Sequence, residues 1–291
     1  MTGLPPIRRR LLGSALRGYR QHLGYGLADA ARVLQCDKSK VSRIETGHRG
    51  VSAAELRALL DDYQVPEAEQ AALSAVAHRG HDDGWWTGYR DVLSAAGCDV
   101  AIMEAAATEI LGFDAQCVPA LLQTEDYARA LADADPSYQD AGQRARAAQC
   151  TLARQAVVLG DRHARLDVVV AEGAVRQLVG GPEVMRHQLR RLANLGDRAG
   201  SPVGDVVVRV LPFSAGAHAV AGAGAVTVLR FAAARGLGMV HIGGINGGAS
   251  LDGPEDLRRY SQAFQRLRLS ALAPAESVEL LRRMAGKLPR R

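Results

Sequence analysis

The stretch C-D-K-S-K-V-S-R-I-E-T-G-H-R-G, residues 36–50, decides the fold of the N-terminal part of the chain. It follows a short segment of apolar residues at helical spacing, Leu27 to Leu34, after a connection of two or three residues. Val41 and Ile44 lie three positions apart, so the stretch predicts a helix whose apolar face docks on the preceding helix. The opposite, outward face then carries the polar and basic residues Lys38, Ser39, Ser42 and Arg43.

A short helix with a basic outer face, held by the helix before it, has the dimensions to lie in the major groove of DNA. We therefore predict that the four outward residues face base edges. Arg43 can hold a guanine through two hydrogen bonds, and Ser42 is short enough to let the helix approach closely. The alternative for Arg43 is an ordinary surface ion pair with Glu45 or Asp37.

Positive charge is concentrated at the same end of the chain. The first 50 residues carry ten Lys or Arg and three acids, a formal charge of +7, whereas the whole chain carries +5. A basic head on a near-neutral body is typical of a protein that binds nucleic acid. Phosphate contacts add affinity and salt sensitivity without sequence information. We predict such contacts for Lys40, Arg49, Arg8, Arg9 and Arg10.

The motif V-S-R-I-E-T-G, residues 41–47, resembles the helix-turn-helix of lambda-repressor-like, Xre-type DNA-binding domains. Gly47 stands where such a helix ends and needs a positive φ. Relatives place a Ser or Thr cap before the positioning helix, where this chain has Gly26. The resemblance implies a homodimer that reads paired half-sites on double-stranded DNA. We assign Glu45 to structure, as a partner of a neighbouring arginine such as Arg17 or Arg20.

Five helices are predicted in residues 1–80, which we call the head. The first covers Ile7 to Leu23, and the second and third form the helix-turn-helix. Ser52, with Glu55 three positions later, predicts a capping box that opens the fourth helix. Pro66 opens the fifth, which runs to about Arg79. The head is therefore predicted to be an all-α, five-helix domain.

Residues 81–98 are predicted to form a linker, and Trp85 and Trp86 are expected to pack it against the second domain. His78 and His81 stand close to Asp82 and Asp83, in a pattern that a metal ion could use. The sequence suggests no distant ligand to complete such a site, so no metal is predicted.

Residues 99–291 alternate between helical and strand patterns, which predicts a mixed α+β domain. Strands are predicted at Leu166 to Ala171, Val206 to Leu211, Ala225 to Phe231 and Met239 to Ile242, the last two joined by a turn at Arg235-Gly236. Helices are predicted over Val100 to Leu131, with an interruption that begins at Phe113, and over Gln143 to Leu159, Leu257 to Leu272 and Ser277 to Leu288. Residues 175–195 are predicted to form one helix or a pair of helices.

The pieces M-E-A-A-A-T-E-I, residues 103–110, and V-P-A-L-L-Q-T-E-D-Y-A-R-A, residues 118–130, are similar to the start of a C-terminal domain that follows Xre-type heads in many actinobacterial regulators. Matching pieces at 172–189, 210–218 and 271–277 extend this resemblance to most of the chain. The chain departs from the pattern at Ala120, where relatives have Gly, and at His241 and Gly243, where relatives carry an aromatic residue and an acid. The resemblance implies a small neighbour-encoded protein as a partner.

Enzyme motifs are missing from the sequence: it has no phosphate-binding loop, nucleophile elbow or zinc-binding helix motif. The glycine-rich stretch 243–248 contains Asn246-Gly247, which favours a hairpin turn. His218, His241 and Glu172 could line a ligand pocket, although lone histidines near apolar strands more often belong to the core. The four cysteines stand far apart and are expected to be reduced thiols. No catalytic residue and no cofactor are predicted.

No membrane segment is predicted, because the longest uncharged run, residues 212–229, is broken by His, Ser and small residues. The N-terminus lacks the apolar core of a signal peptide, so a cytoplasmic location is expected.

Together these patterns predict a sequence-specific, dimeric transcriptional regulator that is not an enzyme and whose second domain senses a partner protein or another signal. One alternative is an antitoxin-like protein that binds a small partner and regulates its own synthesis. The other is a small-molecule-sensing or enzymatic domain fused to a DNA-binding head.

Overall fold

The N-terminal head is a bundle of five helices, as predicted. The computed structural model describes residues 7–78, 84–160, 164–197, 206–231, 237–244 and 247–289. The helices of the head are α1 (Ile7–His22), α2 (Leu27–Val33), α3 (Lys38–Glu45), α4 (Ala53–Asp62) and α5 (Glu67–His78).

Local capping sets several of these boundaries. The Ser52 hydroxyl accepts a hydrogen bond from the Glu55 backbone N–H at 3.2 Å, and the Glu55 carboxylate accepts one from the Ser52 N–H at 2.9 Å. The predicted capping box of α4 is thus confirmed. Gly47 follows α3 with a φ of 77°, the conformation predicted for that stop. The connection between α2 and α3 contains four residues, slightly longer than expected, and turns at Gln35, whose φ is 47°.

Helix α3 is fixed to α1 by a close backbone approach and a buried ion pair. A Cβ at Gly13 would lie 2.4 Å from the Ile44 carbonyl oxygen, so only glycine allows α1 to pass this close. Arg20 donates from Nε and Nη2 to the two carboxylate oxygens of Glu45, at 2.6 and 2.8 Å. The two side chains are 8% and 6% exposed. The assignment of Glu45 to structure is confirmed, with Arg20 as its partner.

The second domain is built around a six-stranded sheet. Its strands are β1 (Glu109–Asp114), β2 (Arg165–Ala171), β3 (Val206–Leu211), β4 (Ala225–Arg230), β5 (Gly238–Ile242) and β6 (Ala249–Leu251), in the order β3-β2-β1-β4-β5-β6. Strands β1, β2 and β3 pair in parallel, and β4, β5 and β6 add to the other side of β1 in antiparallel pairs. The growth of the sheet therefore changes side between β1 and β4.

Helices cover both faces of this sheet. They are α6 (Ala95–Ala106), α7 (Glu125–Ala134), α8 (Ala141–Gln155), α9 (Glu172–Arg176), α10 (Pro182–Gly196), α11 (Pro254–Ser270) and α12 (Pro274–Lys287). Residues such as Ile110 and Val168 share a core with α10 and α12. Phe113 and Val240 point to the other face, where Phe264 of α11 joins their cluster. The mixed α+β prediction is confirmed.

Several predicted elements need correction. The helical prediction is wrong at residues 109–112, which belong to β1, the strand at the centre of the sheet, and β6 is a further strand beyond the predicted ones. Of the two possibilities predicted for residues 175–195, one helix or a pair, the structure has the pair, α9 and α10. The hairpin of β4 and β5 is confirmed, whereas its turn at Arg235-Gly236 lies outside the described residues.

The predicted linker is folded against the second domain. Residues Trp85–Tyr89 form a 3-10 helix, and α6 begins within the predicted linker, at Ala95. Trp86 is 7% exposed. Arg146 of α8 donates to the Asp91 carboxylate at 2.7 Å and to the Gly88 carbonyl, and its guanidinium lies 5.6 Å from the centre of the Tyr89 ring. The segment is therefore held on α8 by the charge of Arg146 and by its contact with the Tyr89 ring.

The buried Arg20–Glu45 pair leads to a stability prediction. In Glu45→Gln the Arg20 charge keeps its buried position but loses the carboxylate, which costs about 3–5 kcal/mol when a buried pair is broken in this way. We expect urea unfolding of the helical signal at 222 nm to begin at a lower concentration. The matched control is Arg32→Gln, which removes the exposed pair with Asp29 and should change stability little. Equal stability of the two variants would contradict the prediction.

Candidate nucleic-acid interface

The two faces of α3 divide as the sequence predicts. Val41 and Ile44 are buried against the rest of the head. Of the four predicted base-reading residues, Lys38, Ser39 and Arg43 are exposed and Ser42 is half-buried. The helix therefore presents a polar, basic surface of side chains that are long at two positions and short at two.

Arg43 is available on this surface. Its Nε donates to the Ser39 carbonyl at 3.3 Å, a contact within the same helix. Among the described residues it forms no ion pair, so the surface pair with Glu45 or Asp37 is not formed. The guanidinium is left exposed on the outer face of α3, where a bidentate contact with a base requires it to be.

The phosphate candidates divide into exposed and engaged groups. Arg9 and Arg49 are exposed. Lys40 instead contacts the Glu55 carboxylate, with 2.5 Å between Nζ and Oε1. The hydrogen bond with Lys40 and the Ser52 backbone N–H lower the pKa of Glu55, so the carboxylate is charged at neutral pH. Lys40 thus ties α3 to α4 in this structure.

Arg8 and Arg10 face the second domain. The Arg10 Nε donates to the Asp252 carboxylate at 2.9 Å, across 242 positions of sequence. Asp99 of α6 accepts a hydrogen bond from the Ile7 backbone N–H and interacts with the charge of Arg8, although burial raises its pKa. These acids were not predicted as partners of the head. Arg10 is therefore paired with a carboxylate of the second domain, and Arg8 interacts electrostatically with another.

The N-terminus of α2 carries an acid where relatives place a hydroxyl cap. The Gly26 backbone N–H donates to the Asp29 carboxylate at 2.9 Å, and Arg32 donates to the same carboxylate at 2.9 Å. These bonds, the backbone one foremost, lower the pKa of Asp29. A negative charge thus occupies the positive end of the helix dipole, which would disfavour a phosphate at that position.

The speculative ligand residues of the second domain are not brought together. Glu172 pairs with Arg176 and accepts from the Phe213 backbone N–H at 2.8 Å. The His218 ring packs edge-on against Phe113, 5.3 Å between centres. His241 lies opposite Thr227, which on its other side lies opposite Gly112, so His241 is on the sheet face away from Phe113. Its Nδ1 is 3.1 Å from the Ser250 hydroxyl. The two histidines therefore belong to opposite faces of the sheet.

The glycine-rich stretch after β5 forms the connection to β6. Gly247 and Gly248 have φ values of 86° and 75°, and the Gly247 N–H donates to the Gly244 carbonyl at 3.0 Å. Asn246 lies outside the described residues, but the antiparallel pairing of β5 and β6 agrees with the predicted turn.

The described residues contain no group of three or more His, Cys, Asp or Glu side chains placed to hold a metal ion. His81, Asp82 and Asp83 lie outside the part of the chain that the structure describes. No helix in that part is both long and apolar enough to cross a membrane.

Two family models match the chain. Residues 11–73 match a helix-turn-helix domain, which indicates a DNA-binding regulator. Residues 98–283, well over half of the chain, match a domain of unknown function, DUF5753. The chain belongs to the DUF5753 family. No curated protein and no solved structure matches it significantly.

In this DUF5753 protein, the exposed Arg43 leads to a prediction about specificity. Arg43→Ala should weaken binding to the preferred duplex by about 1–3 kcal/mol and relax the preference at one base pair, because a bidentate contact with a base is lost. Fluorescence anisotropy on the preferred duplex and on its single-base variants measures both effects.

Arg49→Ala is the matched control, since Arg49 is exposed just beyond α3 and is predicted to reach a phosphate. It should weaken binding on all duplexes alike and reduce the slope of log K against log salt by about one. If Arg43→Ala behaves in the same way as Arg49→Ala, Arg43 touches only phosphate.

Proposed function

We propose that this DUF5753 protein is a cytoplasmic, sequence-specific transcriptional regulator of the Xre type, without catalytic activity, that binds double-stranded DNA as a homodimer. The observation that carries the proposal is the exposed outer face of α3, with Lys38, Ser39 and Arg43. The orientation of this helix is fixed by contacts on its other side. The Glu45 pair with Arg20 and the Lys40 pair with Glu55 hold that helix on two neighbours. A rigid support of this kind is what reading of base edges requires.

The homodimer follows from the reach of one head. A single helix-turn-helix reads only a few base pairs, so specific affinity needs two heads on paired half-sites. We place the dimer contacts in the second domain. In support, the three most exposed large apolar side chains of the described residues are Leu178, Phe213 and Leu269, all in that domain.

We propose further that the second domain senses a signal and passes it to the head. Two connections support this role. Asp252 and Asp99 hold the N-terminal end of α1, and Arg146 of α8 holds the segment that leads out of the head. A change in the second domain would therefore act on the orientation of the head at two places.

The antitoxin-like alternative remains the second candidate, with a small neighbour-encoded protein as the partner. The observation that favours it is a largely apolar groove of about 160 Å³ between α9, α10 and α12, beside the exposed Leu178. Met185 and Met284 line this groove, and methionine adapts readily to a partner surface. Co-purification of a stoichiometric small protein would favour this candidate.

The test is selection of bound sequences from a random duplex pool with the full-length protein. We expect a motif with two-fold symmetry, because two identical heads read it, and a mass in solution of two chains per duplex. Sedimentation of the selected complex measures that stoichiometry.

The Arg43→Ala protein, selected in parallel, is the control and should return a motif degraded at one position in each half-site. A motif without symmetry, bound by one chain, would contradict the homodimer. Absence of any motif would contradict sequence-specific reading by the head.

A further inference from the structure

A cavity of about 150 Å³ lies on the sheet where β1 and β4 run side by side. Gly112 and Asp114, near the carboxyl end of β1, line it together with Ala225 and Thr227 of β4. This is the point at which the growth of the sheet changes side, since β2 and β3 add in parallel on one side of β1 and β4 adds on the other. In open α/β sheets, ligands bind at the carboxyl ends of parallel strands where the strand order reverses. Here the carboxyl end of β1 lies beside the first residue of the antiparallel strand β4.

Small residues keep this space open. Gly112 lies directly opposite Thr227, and Asp114 opposite Ala225, so two of these four positions have no large side chain. Ile110, Leu166 and Val168 add apolar side chains to the lining. A Cβ at Gly112 would lie 3.3 Å from a methyl group of Val168 and would project from the floor. Protein cores are otherwise filled to the density of organic crystals. A void bounded by residues that could be larger is therefore a place for a ligand.

One wall of the cavity is a buried ion pair. Glu104 of α6 is 3% exposed and accepts from Nε and Nη2 of Arg154 at 2.5 and 2.7 Å. These bonds take two of the five N–H donors of the guanidinium. Arg154 has no other hydrogen-bond partner among the described residues. Arg154 can thus donate to a bound acceptor without giving up Glu104.

Asp114 adds a carboxylate to the lining of the cavity. Oδ1 of Asp114 accepts from the backbone N–H groups of Gln116 and Cys117 at 2.9 and 3.0 Å, while Oδ2 has no partner within the described part of the chain. The Thr227 hydroxyl likewise has none there. Asp114 and Thr227 are diagonal neighbours across the β1–β4 pair, roughly 7–8 Å apart. The lining of the cavity therefore includes hydrogen-bond donors, on Arg154, and a carboxylate acceptor, on Asp114.

The charges define the class of ligand. With Asp114 ionised, Glu104, Arg154 and Asp114 sum to one negative charge, so an anion alone is disfavoured and a ligand needs a positive group. Burial raises the pKa of Asp114, and a positive group beside the carboxylate favours its ionised form. His241 lies beside Thr227 on the same face, and burial lowers its pKa, so the imidazole adds no positive charge at neutral pH. A void of this volume holds a molecule about the size of benzene.

We propose that this cavity binds a small zwitterion of the α-amino-acid class, with its carboxylate on Arg154 and its ammonium group on Asp114. The Thr227 hydroxyl forms a further hydrogen bond with the ligand, between its carboxylate and its ammonium group. The size of the cavity selects amino acids with small side chains, and the large aromatic ones are excluded.

The link from this site to DNA runs through α8, and this link alone rests on the proposed regulatory function. Arg154 and Arg146 stand eight residues apart on that helix, about 12 Å along its axis. Arg146 holds the segment of Gly88 and Asp91 that leads out of the head. A ligand that binds Arg154 therefore contacts α8, the same helix that positions the connection to the DNA-binding head.

The test is isothermal titration calorimetry of the full-length protein with each of the twenty proteinogenic L-amino acids, and with propionate and ethylamine as single-charge controls. We expect saturable binding of at least one small amino acid, and binding at least about 10-fold weaker for both controls, because each lacks one charged hydrogen-bonding group. Failure of all twenty amino acids, or equal binding of propionate, would overturn the proposal.

Two variants locate the site. Asp114→Asn keeps the Oδ1 acceptor but loses the charge, and should weaken binding about 10-fold or more, while Thr227→Val should weaken it several-fold with the strand intact. The matched control is Asp135→Asn, whose carboxylate accepts from the Ser137 backbone N–H in a similar turn outside the cavity. Circular dichroism establishes that each variant is folded. Unchanged affinity in folded Thr227→Val and Asp114→Asn would overturn the assignment.

Calorimetry needs no DNA, so loss of the proposed regulatory function would leave these results unaffected. The coupling has its own readout, the affinity of the selected duplex with and without the bound amino acid. A change that disappears in Asp114→Asn supports the route through α8, and an unchanged DNA affinity at saturating ligand would overturn that route.

Discussion

The head depends on the buried ion pair of Arg20 and Glu45. Arg20 lies on α1 and Glu45 at the end of α3, so the pair sets how the candidate recognition helix is rotated against the rest of the head. Arg20 also donates to the Tyr25 carbonyl at 2.6 Å, which ties the turn before α2 to the same charge. Both charges are taken out of water, and either one alone would be strongly unfavourable there. The pair therefore penalises other arrangements of α1, α2 and α3 more than it adds to the total stability. Because Gly13 lets α1 and α3 approach closely, apolar packing and charge pairing select the same orientation.

The head could be predicted from the sequence almost helix by helix, because its signals are local. Apolar residues recur at helical spacing, the Ser52–Glu55 box marks a beginning and Gly47 marks an end. The main error, strand β1, has an equally physical cause. Its sequence E-I-L-G-F-D continues a run of good helix formers, and four of its six residues are buried, so neither alternation nor helical spacing identifies it. Only the sheet, in which β1 lies between β2 and β4, decides its conformation.

Contacts between distant parts of the chain were also not predicted from the sequence. Asp167 of β2 is 1% exposed and pairs with Arg209 of β3 and Arg268 of α11, a set that follows from the order of the sheet and from which helix covers it. Burial raises the pKa of Asp167, while the two arginines oppose this shift. The same limitation applies to the cavity, whose lining comes from α6, α8, β1, β2, β4 and residues 119–121. A glycine, an alanine and a threonine in strands are unremarkable in sequence, and only the register places them around one space.

The basic residues of the head form two groups in the folded chain: some are exposed to solvent, and others face acids of the second domain. This division affects how the two domains act together. Arg43, Arg49 and Arg9 remain exposed, whereas Arg10 is bound to Asp252 and Arg8 faces Asp99. A charge that is neutralised within the chain adds little to long-range attraction of DNA, so the effective field of the head is weaker than its sequence suggests. The neutralising carboxylates lie on α6 and on the connection between β6 and α11, which are elements of the second domain. Any displacement of that domain would therefore change both the position of the head and the number of arginines available to phosphate. The electrostatic and mechanical consequences of such a displacement have the same cause, since the contacts that position the head are the contacts that neutralise it.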